Sequence, residues 1–534
     1  MSYFADLREF LGFLEEKGKL RRFKRDVVKE TQMASLVMLQ YRGLPEDQWT
    51  SFLFEKVVDV KGRRYGNSVL MGYPASREIL ALGLQCSPEK TKEKWSYGCQ
   101  HPIEPQMVQS GPVQEVVIEG EELEKSGLEG IGVPVEVPGF SGSIRTTTQV
   151  VTKDPETGIR NVGQYSGHFS GRAELRLSMA PPKNGSIHHV RARQQGKFLE
   201  AAIVVGATPN ITLAGAVPLP YGVDEFAVAG GVVGEPVKLV KCRTVDLEVP
   251  ATAEMVIEGE FTDQMEPHAA FGDYPGFVYE VGNRYVPIMK VKCITSRRDP
   301  IFVGYDIGYP PSSTAVLGSV AFEVSLYHHF THALHMPGVL DVACHYAGGA
   351  RNFIVIQMKK IAPWDPWQAL NAMSAYEAAL GKIGIVVDED INPRDPEAVN
   401  WALSFRMQPH RDIRIITHRS PLLDVSAYPP GSSNEERNFP SPSGASAILI
   451  DATRKWAYAP VGLPKQEYME EALEIWEDEG LPELRLKEPW HGYHLGHWRD
   501  EDEDNARLIV SAEYPELWAK LKERRMPLRG PFGS

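Results

Sequence analysis

Cysteine is scarce and scattered: the five residues, Cys86, Cys99, Cys242, Cys293 and Cys344, are odd in number and include no Cys-x-x-Cys pair. That pattern excludes a disulfide framework and a zinc ribbon, and it points to a reducing cytoplasm. Long apolar runs are missing as well. No stretch approaches the ~18 apolar residues of a membrane span. Asp6 and Arg8 interrupt the apolar N-terminal segment, and no small-residue cleavage site follows it. The expectation is a soluble cytoplasmic protein that is not exported. Positive charge is in deficit, with a formal net charge of -13 and one short basic run, KLRRFKR at 19–25. A nucleic-acid partner is therefore not expected, and an anionic ligand needs locally placed cations.

What is present is ordinary globular composition, 43% apolar and 24% charged over 534 residues, enough for several cored domains. Phe4, Leu7, Phe10, Leu11 and Leu14 recur at helical spacing and predict a helix over 3–17, stopped by Gly18. Apolar runs around a charged turn at 61–64 predict a hairpin over 51–72, with a helix starting near Ser76. Together these make residues 1–110 an N-terminal α+β region. Residues 111–312 break into short β-branched stretches at 113–118, 146–152, 201–205, 237–240, 255–261 and 301–303, with a helix near 187–195. Regular short strands with Gly/Pro/Asp turns indicate a barrel or sandwich. Beyond Pro310-Pro311, a helix at 315–334 and strands at 339–342, 353–358 and 383–387 alternate with helix 367–380, an α/β domain over 313–460. Residues 428–445 read as a polar loop, and a helix at 465–477 opens a tail over 461–534.

The stretch from Pro250 to Glu280 is where we place the chemistry. A β-rich segment there runs into a Gly/Pro-punctuated loop bearing Glu266, His268 and Asp273. Asn161, Asn184 and Glu225 add two amide oxygens and a carboxylate, hard donors that suit Mg or Mn, although an isolated Asn is usually a turn residue. His328, His332 and His335 share a helix face; a packed face explains them better than metal ligation, since no carboxylate shares the spacing. His491, His494 and His497 in HGYHLGH read as exposed tail residues.

Several ordered stretches change these odds: LREFLGFLEEKGKL, ASREILALGL, PLPYGVDEFAVAG, VKCRTVDLEVPATAEMVIEGE, AAFGDYPGF, VVDEDINPRDPEAVNWALSFRMQP and SGASAILIDATRKW. Together they resemble the UbiD family of prenylated-FMN-dependent decarboxylases over nearly the whole chain. The resemblance implies a flavin-reductase-like split β-barrel cofactor domain and a C-terminal α/β oligomerisation domain. It also implies prenylated FMN supplied by a flavin prenyltransferase, a divalent metal (Mn, with Mg or Fe as alternatives) and K+. Its metal ligands fall on Asn161, Asn184 (usually His) and Glu225. Gln164, Ser166, Lys183, Gly215, Ala216, Val217 and Pro218 complete the implied cofactor-binding set.

The family's network of an Arg and two acids falls on Ser166, His268 and Asp273, so one acid remains. Asp273 is then the proton donor and His268 its catalytic neighbour. Replacing an Arg by Ser166 removes a bidentate carboxylate anchor and opens space. That points towards bulky substrates such as aryl-CoA thioesters, phthaloyl-CoA being one example. Tyr376 falls where relatives often present Lys or Arg. The resulting expectation is reversible decarboxylation of an aromatic or conjugated acid by a homo-oligomer, dimer or hexamer. The alternatives are a non-catalytic subunit of a multisubunit aromatic carboxylase, and a metal-dependent hydrolase using Asp273 as base.

Overall fold

The computed structural model describes residues 2–179, 183–279, 285–429, 432 and 444–527. The polar loop expected at 428–445 lies largely outside the described residues.

The first helix, Leu7–Glu16, starts where Asp6 accepts a hydrogen bond from the Glu9 amide at 2.9 Å, and it buries Leu7, Phe10, Leu11 and Leu14. It lies beside a four-stranded sheet of Leu20–Val28, Ser51–Val58, Ser68–Met71 and Ile301–Val303. The hairpin expected over 51–72 is present, and Ser76 caps the helix Arg77–Gly83. Two expected barrel strands belong elsewhere. Ile301–Val303 pairs parallel with Ser68–Met71, and Lys238–Lys241 joins a small sheet with Glu248–Pro250 and Gln106–Met107. Short apolar strands buried on both faces carry no pattern that tells one sheet from another.

The central element is a closed antiparallel barrel of six strands: β1 (Arg145–Lys153), β2 (Arg160–Phe169), β3 (Glu174–Ser178), β4 (Glu200–Val205), β5 (Met255–Pro267) and β6 (Tyr285–Ser296). Their order is β5-β4-β1-β2-β3-β6, and β5 pairs with β6 to close the ring. Closure removes the sheet edges and fills the interior with Val150, Leu175, Leu177, Ile203, Ile257 and Met289. Three helices lie on the barrel: α1 (Asn184–Gln194), α2 (Pro209–Ala216) and α3 (Glu225–Val233). The last two are apolar all round and almost wholly buried, as a helix enclosed by protein must be.

In the C-terminal domain, α4 (Ser313–His328) and α5 (Asp365–Tyr376) accompany a five-stranded sheet of Val339–Cys344, Phe353–Met358, Ile383–Asp388, Ala447–Asp451 and Ile413–Ile416 in spatial order. This is the α/β arrangement expected there. The His328 and His332 rings stack at 4.8 Å where α4 widens into a π-turn, His329–Ala333. Among the described residues no group of three His, Cys, Asp or Glu side chains is placed to hold a metal. Nor is any described helix long and apolar enough to cross a membrane. The tail carries the helices Gln466–Asp478, Asp500–Val510 and Tyr514–Glu523, largely solvent-exposed.

Candidate functional site

β2 carries three residues of the sequence-predicted set. Asn161 is buried near its start, while Gln164 and Ser166 are half-buried further along. Five residues separate Asn161 from Ser166, about 16 Å along an extended strand.

The Asn161 end is built from helix starts. Asp224 caps α3 by accepting from the Phe226 amide at 2.9 Å, and it is held in place by an ion pair with Arg160. Glu225 is thereby fixed as the first helical residue, where the helix N-terminus favours negative charge. Its Oε2 accepts from the Val162 amide at 2.9 Å, next to Asn161. Glu225 is 4% exposed, and burial pushes its carboxyl up to about 8. Asn184 opens α1 in the same way. The Gly185 amide donates to the Tyr165 hydroxyl at 3.0 Å, and Tyr165 also meets the Asn161 side chain. A Cβ on Gly185 would lie 2.7 Å from that hydroxyl, so this close approach requires glycine. Tyr165 thus ties the Asn184 helix to the Asn161 strand.

Two features at this end suit a cation. The Asn161 Nδ2 is buried without a hydrogen-bond partner, and the same amide turned by half a rotation offers its oxygen instead. A buried carboxylate held high by desolvation gains most from a nearby dication. The residues therefore fit an oxygen-ligated divalent metal. Lys183 donates to the Gln164 carbonyl at 3.1 Å with its ammonium 5.0 Å from the Tyr165 ring centre, a local cation in an acidic chain. The Gly215–Pro218 segment ends α2, and the Tyr376 hydroxyl donates to the Pro218 carbonyl at 3.3 Å. Tyr376 therefore reaches the Gly215–Pro218 segment.

The Ser166 end meets the loop after β5. Asp273 sits in a turn in which its Oδ1 accepts from the Tyr274 amide at 2.7 Å and its backbone N–H donates to Phe277 at 3.1 Å. His268 is 8% exposed and donates from Nδ1 to the Ala269 carbonyl at 2.8 Å. Its ring lies 4.3 Å from His168 and 4.6 Å from Phe271, so it belongs to an aromatic cluster rather than standing free on the loop.

Sequence reading missed three residues here. Arg145 on β1 donates to Glu136 at 2.6 Å, to the Gly272 carbonyl at 2.6 Å and to the Ser166 hydroxyl at 3.5 Å. Thr147 lies between Glu136 (3.4 Å) and Ser166 (3.3 Å). Burial pushes the Glu136 carboxyl up to about 7 against the pull of Arg145. The only sequence signals were a charge at the head of a Thr-rich strand and an acid between two prolines. Nothing in one dimension joins them. A buried guanidinium therefore stands behind Ser166, reached from the adjacent strand.

This fold and site define a class: a closed antiparallel barrel with buried polar residues on its wall, joined to an α/β domain. Residues 106–310 match the 3-octaprenyl-4-hydroxybenzoate carboxy-lyase Rift-related domain, and residues 315–452 match the C-terminal domain of the same enzymes. The chain belongs to the UbiD family of carboxy-lyases. An uncharacterised protein of Synechocystis sp. is 33% identical over 77% of this chain and 84% of its own length. One of Aquifex aeolicus is 30% identical over 91% and 98%.

Among solved structures, the UbiD-class enzyme HmfF from Pelotomaculum thermopropionicum, an evolved dimeric form in complex with prFMN, superposes with a TM-score of 0.74. The two are 28% identical over 88% of this chain and all (100%) of that one. Vanillic acid decarboxylase of Sedimentibacter hydroxybenzoicus gives 0.75 at 26% identity, over 89% and 100%.

Proposed function

We propose that the protein reversibly decarboxylates an aromatic or conjugated carboxylic acid with prenylated FMN held along β2. The carrying observation is Glu225, a buried carboxylate at a helix start, beside Asn161 with an unpaired amide nitrogen. Asn161, Asn184 and Glu225 would hold a divalent metal, Mn with Mg or Fe as alternatives, accompanied by K+. Lys183, Gln164, Ser166 and the Gly215–Pro218 segment would line the flavin. When bound, the prenylated flavin supplies the electron sink for the pair left when the carboxylate carbon departs. Asp273 delivers the proton that replaces CO2, and His268 shapes the wall beside it.

Arg145 lies behind Ser166, but its guanidinium is buried against Glu136 and the Gly272 carbonyl, so it leaves no charge free to anchor a substrate carboxylate. Both a simple aryl or conjugated acid and a CoA thioester such as phthaloyl-CoA are consistent with this end of the site. HmfF crystallised with prFMN and the vanillic acid decarboxylase support the same chemistry. We place the protein in the cytoplasm as a homo-oligomer, dimer or hexamer. The test is co-production with a flavin prenyltransferase, followed by absorption spectra, metal analysis and exchange of labelled bicarbonate into a panel of aromatic acids. Protein that takes up neither flavin nor metal would refute the reading.

A further inference from the structure

We infer that Arg145 is a positioning residue: from β1 its guanidinium clamps the Asp273 loop to the barrel, through the Gly272 carbonyl and the buried Glu136. The argument begins with the loop's own carbonyls, which are taken one after another by groups of the barrel side. Pro267 accepts from Arg176 at 2.8 Å, Ala270 from the Gly142 amide at 2.8 Å, and Gly272 from Arg145 Nη2 at 2.6 Å. The last of these stands one residue from Asp273. A fixed carbonyl there sets the direction in which the Asp273 carboxyl leaves the backbone.

The guanidinium is itself held on every side. Nε donates to Glu136 at 2.6 Å, Nη1 reaches Ser166 at 3.5 Å, and Phe271 lies under it with its ring centre 5.1 Å away. Glu136 Oε1 accepts from Thr147, whose oxygen meets Ser166 at 3.3 Å. The four side chains close a ring. The cross-strand pairing of Thr147 with Ser166, and of Arg145 with His168, places this ring on one patch of the β1–β2 ladder. The Arg145 and Glu136 side chains are 2% and 6% exposed, so an ion pair this dry holds its geometry without competition from water.

A small residue at 166 is what makes this possible. An Arg side chain there would bring a second guanidinium against the first, and like charges this close repel. Ser166 therefore leaves this patch to one guanidinium, that of Arg145, and that guanidinium is committed to the loop.

This inference rests on the decarboxylase reading for its kinetic arm only. The test takes the full chain without cofactor and follows hydrogen–deuterium exchange at residues 271–277 and in the C-terminal strand Phe353–Met358. In Arg145→Met, the loop amides should exchange at least about tenfold faster while the strand is unchanged. Arg145→Lys should recover part of the protection. Should Arg145→Met not fold because Glu136 is left buried and unpaired, Arg145→Met with Glu136→Gln removes both charges and is read in the same way. Relocating the cation, Arg145→Ser with Ser166→Arg, should leave the loop unprotected. In the loaded enzyme, Arg145→Met should lower kcat by about tenfold or more with KM little changed. Unchanged loop exchange, or an equal rise in loop and strand, overturns the inference. A wild-type enzyme inactive on every acid tried would sink the functional reading, while the exchange arms would still decide the clamp.

Discussion

Replacing Glu225 by Gln should act in opposite directions on the metal-free protein and on cofactor retention. In the metal-free protein, burial raises the carboxyl from 4.5 to about 8. That rise corresponds to roughly 5 kcal/mol against carrying the charge. Because the folded-state value is raised, the native protein holds a proton that the unfolded chain gives up. This contribution is full below about pH 4.5 and is lost as pH climbs towards 8. Glu225→Gln is a neutral isostere of the protonated acid, so it should flatten that decline and leave the metal-free variant at least as stable as wild type at pH 8 to 9. With Mn2+ present the order should reverse. The wild type gains a compensated charge and releases a proton on binding, whereas the amide has no charge to offer. Melting curves from pH 5 to 9, with and without Mn2+, together with metal and flavin content, provide the assay. A variant that melts lower than wild type at pH 9 without metal, or that retains normal metal and flavin, would refute the reasoning.

Asp273→Asn keeps an oxygen for the Tyr274 amide and so preserves the turn, and turnover should fall by roughly 100-fold or more with cofactor content unchanged. Single-turnover kinetics and solvent deuterium incorporation at the product carbon check this. Gly276 has φ +91°, and an added Cβ would lie 2.8 Å from Pro310 Cδ and 2.9 Å from Tyr309 Cα. Gly276→Ala should therefore cost about 1–3 kcal/mol, measurable by denaturant titration. His268→Ala removes a ring from the cluster with His168 and Phe271, so it should lower stability by about 1–3 kcal/mol as well as alter substrate choice. Unchanged stability would mean that the imidazole is not held as described.

Much of this architecture was legible because it depends on local signals. Ser76 caps a helix where one was expected to start, whereas the first helix, expected from residue 3 on its apolar spacing, begins at Leu7 because Asp6 caps it. The strands Phe353–Met358 and Ile301–Val303 follow their β-branched runs to the residue. β2 was illegible as a strand. RNVGQYSGHF has two glycines and few β-branched residues, and it is held by pairing along both of its sides. The assignment of Ile301–Val303 to a sheet failed for a related reason: a strand records its own faces but not its neighbours.

The site divides along the same line. Asn161, Asn184 and Glu225 were proposed through ordered motifs, and the fold places each at a strand or helix start. Arg145, Glu136 and Thr147 were missed because what relates them to Ser166 is a cross-strand pair and a contact over nine residues of loop, neither of which has a sequence period. The omission had a chemical consequence. Reading Ser166 alone suggested that the pocket had lost its cation and widened for a bulky thioester. With Arg145 in view, a guanidinium does stand behind Ser166, but it is buried against Glu136 and spent on the Gly272 carbonyl of the loop. The position of a catalytic loop is likewise a property of its neighbours. Gly276 lies against Tyr309 and Pro310, Tyr279 donates to the Leu423 carbonyl at 2.6 Å, and Gly349 approaches the Tyr274 carbonyl closely enough that its Cβ would lie at 2.8 Å. The loop bearing Asp273 is therefore gripped by the barrel on one side and by the C-terminal domain on the other.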